Sequence, residues 1–210
     1  MVSETAGPAG HSCEGCTECC HILPIAEPDV QKPANATCVN CIVGVGCGIY
    51  EARYHVCHRF MCGWVLDETI DLRWRPRDSH MVLTNDRETA TLVAQVDSAY
   101  PNAWRQPPFI DDLRAWAASP TPERQRVVVK VGDDVTIIFP IGEKFIGPIG
   151  PGQTLMVYKI EARFWTVYDA KLVDRTDPSA NGAIGRPAVA GPGALRLDLP
   201  ESAGPRPPYA

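Results

Sequence analysis

Residues 13–62 read CEGCTECCHILPIAEPDVQKPANATCVNCIVGVGCGIYEARYHVCHRFMC, and this stretch holds every cysteine of the chain: Cys13, Cys16, Cys19, Cys20, Cys38, Cys41, Cys47, Cys57 and Cys62. Four of the five histidines, His11, His21, His55 and His58, lie inside or beside it. Free cysteine is normally a small buried hydrophobe scattered through a core. Scatter does not confine nine thiols to the first third of a 210-residue chain, several of them paired at C-x2-C spacing. That spacing lets two thiolates of one tight turn point at a common centre, as zinc and iron–sulfur sites require. The stretch is a metal site or a disulfide framework.

The remaining sequence bears on which. A chain of 22.9 kDa has material for one ordinary core or two small ones. Its net charge of -5 offers no basic stripe, so no nucleic-acid partner is expected. The opening MVSETAGPAGHSC has neither the positive nor the apolar region of an export signal. No run approaches the roughly 18 apolar residues of a membrane span. The expected compartment is the cytoplasm, where disulfides rarely persist. An odd number of cysteines also leaves a thiol over in any all-disulfide scheme. Metal is the better reading, and the sequon Asn35-Ala36-Thr37 is then idle.

Residues 1–10 are small and polar and read as a disordered lead-in. Residues 11–66 form the Cys-rich module, too rich in Gly and Pro for an ordinary domain and expected to be short turns stapled by metal. Within it only Gly48–Phe60 has helical spacing, through Ile49, Tyr50, Tyr54 and Cys57. Trp64–Trp74 reads as a connecting helix or an extended arm, and Arg73, Arg75 and Arg77 as a solvated basic face. His80–Thr84 and Thr89–Val96 flank the turn Asn85-Asp86-Arg87-Glu88 as a hairpin. Pro107-Pro108 opens a helix whose apolar face is Phe109, Ile110, Leu113, Trp116 and Ala117, ended by Ser119-Pro120. Val127, Val129 and Val131 alternate before Gly132-Asp133-Asp134, and Val135, Ile137 and Phe139 after it, as a second hairpin. Leu155–Ile160 and Phe164–Tyr168 pair across Glu161-Ala162. Residues 67–173 therefore predict an α+β domain of about six strands in an antiparallel sheet with one main helix. Residues 174–210, dense in Pro, Gly and Ala, predict a disordered tail, and no internal repeat is visible.

Adjacent side chains diverge in helix and strand alike, so Cys19 and Cys20 do not share one tetrahedral ion comfortably. They fit two neighbouring metals, or opposite sides of one cluster. Eight thiols make two four-thiolate sites, and nine leave one over. Buried thiolates need compensating charge, and Arg53, Arg59, Lys32 and backbone N–H groups are the local candidates. Glu14, Glu18 and Glu51 are within sequence reach as proton donors, although solvated surface is the commoner fate of a Glu. His21 reads as an ordinary residue beside thiols rather than a ligand. Gly147–Thr154 imitates a phosphate loop, but Gln153 stands where its lysine belongs and a strand-like run follows, which excludes it. Gly44-Val45-Gly46-Cys47-Gly48 lacks the last glycine of a dinucleotide fingerprint; its glycines are read as letting backbone N–H groups approach sulfur. No Ser–His–Asp or Cys–His arrangement stands out.

The C-x2-C-x2-C-C opening, Cys47-Gly48-Ile49-Tyr50-Glu51-Ala52-Arg53 and Cys57-His58-Arg59-Phe60-Met61-Cys62 together resemble the YkgJ-like cysteine cluster family, the CxxCxxCC zinc- or iron-chelating domain. The resemblance covers roughly residues 13–66. Members usually read C-x-I-Y-E-x-R-P and then C-R-x-F-x-C; here Tyr54 replaces the proline, His58 replaces the arginine, and Cys41 is an extra thiol. The resemblance implies Cys13, Cys16, Cys19, Cys20, Cys38, Cys47, Cys57 and Cys62 as metal ligands. It also implies, loosely, iron–sulfur oxidoreductase activity, and some relatives are tied to lysine methylation of flagellin.

Two functions follow as expectations. The first is an iron–sulfur protein acting in electron transfer or in cluster-assisted modification of a protein partner. The second is a zinc-stabilised interaction module without catalysis. In both, the partner is a protein rather than nucleic acid or membrane.

Overall fold

The computed structural model describes residues 11–28, 30–162 and 165–177. The expected lead-in 1–10, Phe164 of the last hairpin and the tail from residue 178 onward lie outside the described residues.

The cysteine stretch folds into short pieces. These are α1 (Glu18–Ile22), the hairpin of β1 (Ile25–Glu27) and β2 (Val30–Lys32), and a second tiny hairpin of β3 (Cys41–Ile42) and β4 (Gly46–Cys47). A 3-10 turn over Tyr50–Ala52, α2 (His55–Arg59) and α3 (Gly63–Leu66) follow. The helix expected over Gly48–Phe60 is therefore broken. Arg53 and Tyr54 are extended, with ψ of 155° and 149°. The Arg53 guanidinium folds back to donate to the Tyr50 carbonyl at 2.9 Å and to cover the Tyr50 ring at 3.9 Å. That carbonyl is thereby taken from the next helical turn.

Beyond Leu66 the connection is irregular rather than one helix or arm. It has a 3-10 turn at Leu72–Trp74, opened by an Asp71 carboxylate accepting from the Arg73 amide, and then α4 (Pro76–Ser79). Trp74 is fully buried against Phe109 and Trp116, and its indole N–H donates to Asp112 at 2.8 Å. Asp112 also accepts from Arg73, so the connection is pinned to the main helix.

The sheet comprises β5 (Met81–Asp86), β6 (Thr91–Val96), β7 (Arg126–Val131), β8 (Asp134–Ile138) and β9 (Glu143–Pro148), in that spatial order. The main helix α5 (Phe109–Ala118) lies between β6 and β7 in sequence, starts directly after Pro108, and buries Ile110 and Leu113. The protein is α+β as expected, but its sheet is mixed. β6 and β7 run parallel, Leu92 beside Val127, because the chain passes through α5 before re-entering the sheet. Parallel neighbours need such a long crossover. All other strand pairs are antiparallel. β10 (Gln153–Ala162) and β11 (Trp165–Asp174) form a separate long ribbon. The edge strand β9 was not anticipated. Gly147 at φ 80° and the terminal Pro148 disguise it, and proline is tolerated in a strand on such an edge. Gln153 opens β10, as the rejection of a phosphate loop requires.

Strand alternation divides the core between the two sheet faces. Val127 and Val129 join Leu92, Ala94 and Val96 against Leu113, Trp74 and Trp104. Val128, Val135 and Ile137 face the other way and pack with Leu155 and Ala170 of the ribbon. The helix-side core crosses residue 66, taking in Ile22, Cys62, Trp64 and Val65 with Met81, Val82 and Leu83 of β5. The ribbon is further tied to the sheet by Lys144 of β9, which bonds Asp169 of β11 at 2.5 Å.

Two outcomes test this packing. A Cβ on Gly63 would stand 3.1 Å from the Leu83 carbonyl oxygen and 3.2 Å from its Cβ, so Gly63→Ala should push α3 off β5. Urea unfolding should register a loss of about 1–3 kcal/mol. Burial alone would raise the Asp169 carboxyl, but hydrogen bonds from Lys144, Tyr158 and the Ala170 amide hold it below its ordinary value. Its contribution is thus present above the unfolded carboxylate pKa and disappears as pH falls through the lower folded one. Asp169→Asn should flatten the dependence of unfolding midpoint on pH in that acid window and leave it unchanged near neutrality.

Candidate metal centre

α1 organises the thiols. Successive residues of a helix project about 100° apart around its axis, so Cys19 and Cys20 leave α1 in different directions, yet their side chains turn back far enough to hydrogen-bond each other. Cys19 is in the electrostatic reach of Cys16 and Cys13, and Cys13 is in that of Cys62. Cys20 lies with Cys41, which hydrogen-bonds it, while Cys57 is close to Cys20, Cys38 and Cys47. Backbone geometry supports the second grouping. The Cys38 amide donates to the Cys20 carbonyl at 2.9 Å, the Cys41 amide to that of Cys38 at 2.9 Å, and Cys41 stands directly opposite Cys47 in the β3–β4 ladder. The result is one set of Cys13, Cys16, Cys19 and Cys62 and another of Cys20, Cys38, Cys41, Cys47 and Cys57, the two joined through the Cys19–Cys20 hydrogen bond. All nine are free thiols; Cys62 is buried, Cys13 exposed and the others half-buried.

Cys62 precedes α3, and the Trp64, Leu83 and Val65 amides are directed at its sulfur. Burial still dominates and pushes this thiol up to about 11. Burial likewise raises Cys13 and Cys16, although the Glu18 and Arg77 amides and the Arg75 charge favour the Cys16 thiolate. Cys19 and Cys20 share one hydrogen bond. The proton stays with Cys19, whose pKa rises, and Cys20 is lowered as the acceptor, against its own burial and with help from Cys41 and Lys32.

Of the cations expected to compensate, Lys32 does so most directly. Its buried ammonium donates to the carbonyls of His21, Pro33 and Ala36 at 2.9, 3.2 and 2.7 Å and faces Cys38, Cys20, Cys19 and Cys41. Arg53 stands beside Cys57, whereas Arg59 is exposed at the end of α2. Arg75 and Arg77, read from sequence as a solvated face, in fact border the first group. Arg75 donates to the Glu14 carbonyl at 3.3 Å, and Arg77 Nη1 lies 3.7 Å from where a Gly15 Cβ would be. Arg73, on the same odd-numbered spacing, goes instead to Asp112, so no local signal in the sequence marked Arg75 and Arg77.

Several other expectations find different surroundings. The Gly44 and Gly48 amides go to oxygens, Thr17 Oγ1 and the Asn40 carbonyl, rather than to sulfur. Gly44 at φ 74° and Gly46 at φ 144° serve the tight β3–β4 turn. His58, Glu14 and Glu51 are exposed. His11 is buried, stacked on Trp64 with ring centroids 4.1 Å apart. Asn35 of the sequon accepts the Ser98 amide at 2.9 Å, linking this segment to the end of β6. His21 is engaged by Thr37 at 3.0 Å and by Asp97 at 3.6 Å. Glu18 is half-buried; burial and the nearby Asp97 raise its carboxyl above the ordinary value.

The donor set fits a thiophilic metal: four thiols in one group, five in the other, amide N–H groups on Cys16 and Cys62, and cations beside both. Among the described residues, no three thiol sulfurs lie within 4.8 Å of one another. Binding would draw them in and release their protons, the usual coupling of metal, folding and pKa. No family model, curated protein or solved structure matches this chain.

The unlike neighbours of Cys19 and Cys20 have a direct outcome. Cys19→Ser and Cys20→Ser should each give a partial and different metal deficit, Cys19→Ser sparing the group of Cys38, Cys41, Cys47 and Cys57. Elemental analysis with cobalt-substitution spectra checks this, and identical deficits with one ion in the parent would refute it.

Proposed function

We propose that the chain is a metal-binding protein of the cysteine-cluster type, an iron–sulfur protein acting in electron transfer or in modification of a protein partner. The observation that supports it is the gathering of all nine thiols around the hydrogen-bonded pair Cys19 and Cys20, Cys19 reaching Cys13 and Cys16 and Cys20 reaching Cys41, with enough ligands for four-thiolate centres. Cys13, Cys16, Cys19 and Cys62 would hold one group, and Cys38, Cys47, Cys57 and Cys20 the other. When bound, an iron–sulfur cluster supplies one-electron chemistry. The chain's own residues supply the setting: Lys32 and Arg75 offset thiolate charge, and the amides on Cys62 and Cys16 are hydrogen bonds of the kind that tune a cluster's potential. The proposed setting is the reducing cytoplasm, with neither nucleic acid nor membrane as partner. Among the described residues no helix is long and apolar enough to cross a membrane.

A second reading, a zinc-stabilised interaction module without catalysis, is favoured by the β3–β4 hairpin. Val39, Ile42, Val43 and Val45 are exposed there side by side, Val39 to 92%. Contiguous apolar surface of this kind marks protein contacts.

The full chain purified without oxygen separates the two. Visible thiolate-to-iron absorption with iron and acid-labile sulfide supports the first; a colourless protein holding stoichiometric zinc supports the second; a metal-free fold with all thiols titratable refutes both. In the same preparations Cys38→Ser should lose metal and Cys41→Ser should stay fully loaded, since the second group has five thiols for four positions. Loss of metal in Cys41→Ser would instead make Cys41 the ligand and release another thiol of that group.

A further inference from the structure

We propose that Glu18, His80 and Asp97, with His21 beside them, form a separate, sulfur-free site for a divalent first-row transition cation. Glu18 Oε, a His80 ring nitrogen and Asp97 Oδ all lie within 4.8 Å of one another. Among the described residues this is the one group of three or more His, Cys, Asp or Glu ligand atoms so close together.

Three independent constraints bring these side chains to one point. In α1, Glu18 and His21 are three residues apart and so share a helix face, away from Cys19 and Cys20. His80 ends α4 in the left-handed conformation, φ 59° and ψ 29°, with its ring stacked on Tyr100 at 3.7 Å. A histidine at positive φ is uncommon, and such conformations gather at functional sites. Asp97 directly follows β6; its amide donates to the His80 carbonyl at 3.0 Å, extending the β5–β6 pairing to the two ligand-bearing residues. Its side chain is buried, and one carboxylate oxygen also accepts the Ala99 amide at 2.8 Å.

Only a bound cation or a proton, on an imidazole or on a carboxylate, offsets the charge of this corner. Glu18 and Asp97 line a cleft of about 320 Å³ with His21, His80, Thr37 and Cys41, and no Lys or Arg lines it. Two carboxylates brought together out of water repel unless a positive charge sits between them. His21 is arranged as metal-ligating histidines usually are: Nδ1 is engaged by the Thr37 hydroxyl at 3.0 Å, leaving Nε2 toward Asp97 at 3.6 Å. Imidazole and carboxylate together suit manganese, iron or zinc, whereas an all-oxygen cage would suit calcium or magnesium. Because Cys41 lines the same cleft, this site adjoins the second thiol group while using none of its sulfurs.

Mn(II) is the discriminating probe, since carboxylate and imidazole take it and thiolates select softer metals. The full chain, freed of loosely bound metal, is titrated with Mn(II) and the free ion followed by electron paramagnetic resonance. Wild type should bind a single Mn(II) per chain. Asp97→Asn, His80→Gln and Glu18→Gln should each weaken it by more than the roughly 10–100-fold that loss of a mere supporting residue costs. Glu51→Gln, at an exposed carboxylate of the same segment, should leave it unchanged. Far-UV circular dichroism identifies any variant that fails to fold, and the three carboxylate and imidazole variants back one another up. No uptake by wild type, retention by well-folded Asp97→Asn and His80→Gln, or loss in folded Glu51→Gln would each overturn the site. The last two outcomes would leave a protonated His–carboxylate network or nonspecific surface binding in its place.

Discussion

Strand β5 lies at the edge of the sheet, yet Met81, Val82 and Leu83 are completely buried. An edge strand with apolar residues on both faces and an open row of amides must be covered or it recruits another strand. Here the cover is the cysteine segment. Ile22, Cys62, Trp64 and Val65 supply the apolar contact, and the Leu83 amide is directed at the Cys62 sulfur. Gly63 permits the approach, because nothing larger fits against Leu83 without displacing it. The thiol at the end of the segment is thus part of the core, and the placement of the other thiols depends on that junction.

From this junction α1 distributes chemistry in several directions at once. A helix of five residues turns Ile22 into the core, sets the bonded pair Cys19 and Cys20 against different thiol neighbours, and turns Glu18 and His21 toward the open end of the β5–β6 hairpin. No strand of that length could do so, since alternation offers only two faces. The Cys38 amide on the Cys20 carbonyl and the Asn35 side chain on the Ser98 amide then hold the following loop to α1 and to β6.

Charge shapes the same region. Thiolates and carboxylates out of water require partners, and the partners are unlike on the two sides. Lys32, buried among carbonyls, serves the second thiol group, while the Arg75 charge and backbone amides, that of Arg77 among them, serve the first. The cleft between Glu18 and Asp97 has histidines alone. A cation there would offset the repulsion that the fold itself creates by closing β5 against β6.

Sequence by itself determined the local features, because these depend on side chains a few residues apart. The apolar face of Phe109, Ile110, Leu113 and Trp116 specified α5, and the alternating valines around Gly132 specified the β7–β8 hairpin. The adjacency of Cys19 and Cys20 gave them different Cβ directions, while the fold brought their sulfurs back into a hydrogen bond. The order strand, helix, strand across residues 91–131 also carried the signal for a parallel β6–β7 pair, hidden by the hairpins on either side. Tertiary structure alone decided which thiols meet, that Arg75 and Arg77 face sulfur, and that His80 and Asp97 join Glu18. Residues so far apart are brought together by which strand neighbours which and by what covers an edge. That choice is made by the summed burial of the whole chain, and no local period records it.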